Sequence, residues 1–191
     1  MSDVRSQLLE AAARLFAERG YDAVSMRDIA KAVGVTQANL YYHFQDKADL
    51  IQATLAQVFG AGAQRLESWL SEHPGDRLDA FVRWFVRTLM TDRIFARLLN
   101  RELLDGDAGR VDALCRTVLQ RPFSAIVASI SLAPGAGSVE AAALSLIGFT
   151  LGQVLVLPLA PGLAGDRIAA ESADTLAERI LAFVGPALSE A

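Results

Sequence analysis

The chain has 191 residues, 52% of them apolar, and a formal net charge of −4. Such a length holds one large domain or a small one joined to a medium one, and such an apolar content excludes a disordered chain. The acidity excludes a uniformly basic nucleic-acid coat, although a DNA reader needs positive charge only on its contacting face. Helical periodicity runs along the sequence, and no strand pattern rises above it. The first helix spans about Asp3 to Arg19, with Leu8, Ala12, Leu15 and Phe16 on one stripe. Ser2 is placed to cap its start, and Gly20 to end it in a left-handed conformation. Tyr21 and Val24 fall in the connection that follows and pack back onto the stripe.

Residues 25 to 47, SMRDIAKAVGVTQANLYYHFQDK, carry the strongest functional signal. Ser25 and Asp28 form a variant capping box for a second helix, whose Ile29, Ala30 and Val33 point inward and which Gly34 stops. Val35 plugs the small core. Thr36 caps a third helix, Gln37 to about Phe44, in which only Leu40 and Phe44 are committed to the interior. Its remaining surface is small, aromatic or hydrogen-bonding and nearly uncharged. That surface suits a helix entering the DNA major groove, where base edges offer a donor and acceptor code. Gln37 can bond bidentate to adenine, and Asn39 and Tyr41 add donors and acceptors. Tyr42, His43 and Lys47 lie where they can meet phosphates. Ser25 and Arg27 sit at the N-terminus of the second helix, which favours anions. A helical interaction adaptor would not need Gln37, Asn39 and Tyr41 turned outward.

The charge divides unevenly. Residues 1 to 47 carry Arg5, Arg14, Arg19, Arg27, Lys31 and Lys47 against Asp3, Glu10, Glu18, Asp22, Asp28 and Asp46, so the net −4 belongs wholly to the remainder. A fourth helix starts after Asp46 and reaches about Glu72, with Gly60 and Gly62 weakening its middle by about 1 kcal/mol each. A fifth covers Arg77 to Met90 and a sixth Asp92 to about Leu104. A seventh runs from Arg110 to about Leu132, with a kink or break just before Pro122. An eighth spans Ser138 to Leu157, and a ninth Asp166 to Leu188, ended early by Gly185-Pro186. Ala141 to Gly165 holds no charge, a length that could cross a bilayer. Its prolines and glycines, and flanks without Arg or Lys clusters, favour a buried or interfacial helix instead.

Cys115, the only cysteine, cannot form an intrachain disulfide, which fits a reducing, cytoplasmic setting, and it reads as a small core residue. The N-terminus lacks the apolar run of a signal peptide. No Ser-His-Asp set, metal-ligand cluster or Gly-rich phosphate loop suggests an enzyme, and no cofactor is expected.

LLEAAARLFAERGYDAVS, MRDIAKAVGV and LYYHFQDKADLI together resemble the TetR family of one-component transcriptional regulators over about residues 5 to 51. The resemblance implies an all-helical homodimer of about nine helices, with a helix-turn-helix head (residues 1–47) and an effector-binding and dimerisation body (48–191). It implies a repressor that binds a palindromic operator on double-stranded DNA. By position, Arg27, Gln37, Ala38 and Tyr41 match the family's base-contacting sites. Met26, Asn39, Tyr42, His43 and Lys47 match its phosphate-contacting sites. Met26 replaces the frequent Thr, so a hydroxyl contact is lost there.

The body offers two further sets. Leu144, Ile147, Gly148, Leu151, Gly152 and Leu155 on the eighth helix, with Leu176, Ile180, Phe183 and Val184 on the ninth, are expected to form a four-helix subunit interface. Phe81, Trp84 and Phe85 are expected to line an apolar cavity, and Arg97, Asn100, Arg101 and Gln153 to orient a small apolar or aromatic effector. The fourth helix, the covalent link between head and body, is the expected lever between effector and DNA.

Overall fold

A computed structural model of the chain describes residues 3–132, 137–165 and 171–188. The Ser2 cap, the start of the ninth helix at Asp166 and most of the loop before Ser138 lie outside the described residues. Among the described residues the regular structure is entirely helical: α1 Val4–Arg19, α2 Met26–Val33, α3 Gln37–His43, α4 Lys47–Glu72, α5 Arg77–Thr91, α6 Arg93–Asp105, α7 Ala108–Leu114, α8 Gln120–Val127, α9 Val139–Val156, α10 Ala160–Ala164 and α11 Ala173–Leu188. The expected nine are recovered when α7 and α8, joined by a π turn, are taken as one and the five-residue α10 is set aside.

Two compact units emerge, Met1–Gln64 with Arg93–Gln120, and Arg65–Asp92 with Arg121–Ala191. In the first unit α1 packs against α2 and α6, burying Leu8, Leu9, Ala12, Leu15 and Phe16. Val24 is fully buried beside them, and the Tyr21 ring meets Phe16 edge-on at 5.3 Å. Gly20 has φ 86° and ψ 167°, an extended backbone with positive φ rather than the expected left-handed cap. That region is essentially closed to side chains. A Cβ at Gly20 would also lie 2.7 Å from Nη1 of Arg101, so the glycine admits α6 as well as the turn. Gly62 does the same inside α4, where a Cβ would lie 2.7 Å from Cε2 of Phe95. Phe95 in turn packs edge-on against Phe59 at 5.3 Å. The residue that weakens α4 intrinsically thus allows α6 to approach it.

The seventh predicted helix differs most from expectation. It begins at Ala108, capped by Asp107, and passes through a π turn at Cys115–Leu119 before α8. Pro122 lacks an N–H and its ring conflicts with the carbonyl four residues back, so a widened turn just upstream relieves the clash. The helix then stops at Val127, because Ser129 and Ile130 donate to carbonyls only three residues back. Cys115 is exposed on the π turn and not a core residue.

In the second unit α5 packs against α9 and α11, and α9 against α11. Phe81, Val82, Phe85, Val86 and Leu89 are buried there, as are Leu146, Leu151, Leu176 and Ile180. Leu151, Leu176 and Ile180 therefore leave the predicted subunit interface: each belongs to the chain's own core. A helix apolar all round has two faces to cover, and the sequence does not say which is covered internally. Leu144, Gly148, Leu155 and Phe183 are exposed, while Ile147, Gly152 and Val184 are half-buried. The stretch Val139–Leu163 is long and apolar enough to cross a membrane. It is broken at Leu157–Leu159 by a 3-10 turn carrying Pro158. Finally, α11 continues through Gly185-Pro186 to the buried Leu188, whose carbonyl accepts a hydrogen bond from the Ser131 N–H. A proline in the last turn forfeits too little to end the helix before that anchor.

Candidate nucleic-acid interface

The second helix of the motif is held at both ends. The Ser25 hydroxyl oxygen accepts from the Asp28 N–H, and the Asp28 carboxylate accepts from the Ser25 N–H at 2.9 Å and hydroxyl at 2.6 Å. These bonds hold the Asp28 carboxyl below its ordinary range. They also engage both donors of Ser25. Its part is to build the cap that presents exposed Arg27, rather than to bond phosphate as expected. Met26 is buried, which explains a thioether where a phosphate contact would need a hydroxyl. At Gly34 the chain enters a left-handed turn, φ 79° and ψ 25°. Val33 and Val35 are half-buried at its edges.

Thr36 opens α3, its Oγ1 accepting from the Asn39 N–H at 3.2 Å, which leaves its own O–H able to donate. In this seven-residue helix only Leu40 is buried, followed by Phe44 at the C-cap. The period of 3.6 residues then turns the rest outward. Gln37, Ala38 and Asn39 are exposed, Tyr41 is 51% exposed and Tyr42 84%, while His43 and Lys47 are half-buried. The polar face read from the sequence is therefore a surface.

Charge is distributed to match. Two acids of the head cap helices, Asp28 as above and Asp46 on the Asp49 N–H, and the neighbouring Asp49 accepts from the Gln45 N–H. Among the described residues, no base of residues 1–47 enters an ion pair, whereas Arg65, Arg83, Arg87, Arg110, Arg116, Arg121 and Arg179 all do. Arg19 and Lys31 still feel the Asp28 charge, whereas the exposed Arg27 is presented at the start of α2.

The head is also fastened to α6. The Tyr21 hydroxyl donates to Oε1 of Glu102 at 2.5 Å, and Nε of Arg110 donates to Oε2 at 2.9 Å. The Arg110 and Arg101 guanidinium groups lie 5.1 and 5.8 Å from the Tyr21 ring centroid. Glu102 is buried. Sequence reasoning missed this cluster, because Tyr21 and Glu102 are 81 residues apart and nothing local marks either. Burial first, then the Glu102 hydrogen bond and charge, push the Tyr21 hydroxyl well above the ordinary phenol range. The folded state then keeps a proton that the unfolded chain releases above about pH 10. This contribution to stability is whole below that pH and is lost as pH rises above it. Tyr21→Phe is expected to reduce the alkaline loss of stability in urea titrations between about pH 8 and 11. A variant as alkali-sensitive as the parent would contradict the assignment.

The predicted effector residues divide between the two units. Arg97, Asn100 and Arg101 lie in the first and Phe81, Trp84, Phe85 and Gln153 in the second. The Arg101 guanidinium lies against Tyr21 and Gly20, and its Nε is buried with no hydrogen-bond partner among the described residues. Asn100 donates to the Ala96 carbonyl of its own helix, and Arg97 is exposed. Gln153 accepts from Arg179, which also forms a two-pronged pair with Glu171. Phe81 and Phe85 stack at 5.5 Å inside the second unit, and Trp84 stacks on Phe85 at 6.3 Å. Beside Gln153 on α9, Thr150 is a further candidate to orient a ligand, and its Oγ1, fully buried, has no hydrogen-bond partner among the described residues.

Residues 8–54 match the model of the bacterial regulatory proteins of the tetR family, a span that runs from the second turn of α1 through α2 and α3 to the start of α4. These residues form a tetR-family helix-turn-helix segment. The chain is 29% identical over 180 residues to the probable HTH-type transcriptional regulator ArpR of Pseudomonas putida, covering 86% of each chain. The HTH-type transcriptional regulator TtgR, also of Pseudomonas putida, matches with the same identity and coverage. The fold is shared along the whole chain with a putative transcriptional regulator from Saccharomonospora viridis crystallised with choline, at 23% identity and a TM-score of 0.71, covering 100% of both chains. The matches mark a helix-turn-helix DNA-binding regulator of transcription.

Proposed function

We propose that the regulator is a ligand-responsive repressor, acting in the cytoplasm, that binds a palindromic operator as a homodimer and leaves it when a small apolar or aromatic effector binds. The observation that carries this reading is the outward polar face of α3 beside Arg27 and Lys47, which enter no ion pair among the described residues. Arg27, Gln37, Ala38 and Tyr41 face bases, Ala38 offering apolar contact to a thymine methyl. Thr36, Asn39, Tyr42, His43 and Lys47 hold phosphates and set the register.

Dimerisation is supported by the apolar surface left on the second unit. Leu144, Leu155 and Phe183 are exposed, Phe183 by 74%, and Phe149 stacks against Phe183 at 5.3 Å. Gly148 and Gly152 allow close approach of a second copy. Selection of bound duplexes from a random pool is expected to return an inverted repeat for the parent protein. Phe183→Asp is expected to sediment as a monomer and to recover only single half-sites. An inverted repeat bound tightly by a monomeric parent would contradict the dimer.

The effector reading rests on the second unit's interior. The Thr150 hydroxyl is a buried group without a partner among the described residues, a condition that usually has an explanation such as a ligand or water. It lies on α9, which packs against the α5 that carries Phe81 and Phe85. The choline complex of the Saccharomonospora viridis protein is a precedent for a small molecule on this fold. By linkage, an effector favouring misplaced heads lowers DNA affinity by the same factor by which DNA lowers effector affinity. Head motion is transmitted through α4 and also through α6, which Tyr21 grips by way of Glu102.

A further inference from the structure

We propose that Arg5, on the first turn of α1 and outside the helix-turn-helix, is a further contact to the DNA backbone. The proposal rests on the DNA-binding reading above. The Arg5 guanidinium lies 5.2 Å from the centroid of the Phe44 ring. Phe44 is the C-cap of α3 and is itself buried, so the ring is a fixed platform at the end of the reading helix. Arg5 is exposed and forms no ion pair among the described residues. Nearby Glu10 instead accepts from the Ser6 hydroxyl.

The distinction between a ring and a carboxylate as the holding group decides the chemistry. A carboxylate positions a guanidinium and cancels its charge. An aromatic face attracts the cation through its quadrupole and leaves both the charge and the N–H donors available. A guanidinium so placed can take a phosphate with two parallel hydrogen bonds. Tyr42, His43 and Lys47 follow in sequence around the same end of α3, and His43 lies against Phe44 with ring centroids 6.4 Å apart. Arg5 extends that row onto α1. The chemistry recognised is a backbone phosphate of duplex DNA, which carries no sequence information.

The test compares the parent with Arg5→Ala, Arg5→Lys and Arg14→Ala. Arg14 is exposed on the same helix and, nine residues on, about half a turn around it. Binding is measured to a mixed-sequence duplex of about 30 base pairs as salt is raised, with thermal melting of each variant alongside. Arg5→Ala is expected to weaken binding on the order of fivefold at moderate salt and to lower the slope of log K against log salt by about one per head. Arg5→Lys should keep most of the slope, and Arg14→Ala should match the parent. An Arg5→Ala slope equal to the parent's overturns the proposal, whether or not its melting temperature falls, since the ring contact would then be structural only. Absence of salt-dependent binding by the parent would instead remove the DNA-binding reading itself.

Discussion

Gln37→Ala and Tyr41→Ala are each expected to weaken binding to the selected operator by roughly 1–3 kcal/mol, a factor of about 5 to 150. Both side chains are exposed on α3, and neither contributes to the packing that Leu40 and Phe44 supply. The melting temperature should therefore stay near that of the parent, within the small range of surface substitutions. Loss should concentrate on particular base positions rather than fall evenly on all duplexes, which separates these residues from phosphate contacts such as Arg5. Titration of each variant against the selected duplex and single-base variants of it is the measurement. Unaltered discrimination in both variants would contradict the assignment of α3 as the reading helix.

The largest expected effect on stability lies at Glu102. Its side chain is 5% exposed and pairs with Arg110, 18% exposed, while it accepts from the Tyr21 hydroxyl. Removing one partner of such a group leaves the others desolvated without compensation, which costs more than the pair contributed when intact. Glu102→Ala is expected to lower stability by about 3 kcal/mol, a large part of what a domain of this size possesses. Glu102→Gln keeps the volume and an acceptor for Tyr21 and should lose less, about 1 kcal/mol. Urea unfolding followed by helical signal would measure both. Equal midpoints for Glu102→Ala and the parent would refute the structural role of the cluster.

These two sites mark the limits of reading a chain in one dimension. The head was legible because its signals are local. Ser25 and Asp28 are three apart, Thr36 and Asn39 three apart, and Leu40 and Phe44 four apart, and each pair formed the bond or face its spacing implied. The π turn was half legible: Pro122 announced a disturbance, but whether a helix kinks, breaks or widens depends on what packs against it. The C-terminal helices were legible as helices and illegible as surfaces. Leu144 and Leu176 look alike in sequence, yet one is 61% exposed and the other fully buried.

Local chemistry, carried by caps, turn glycines and the spacing of apolar residues, was enough to mark helices throughout the described residues and a helix-turn-helix head with an outward polar face. Tertiary packing alone determined that Tyr21 would meet Glu102, that Arg101 would lie against Gly20, and which apolar face of α9 and α11 would be left uncovered. The physical reason is range. A helix selects its own hydrogen bonds within four residues, whereas a buried ion pair or a covered face depends on which distant segments arrive beside it.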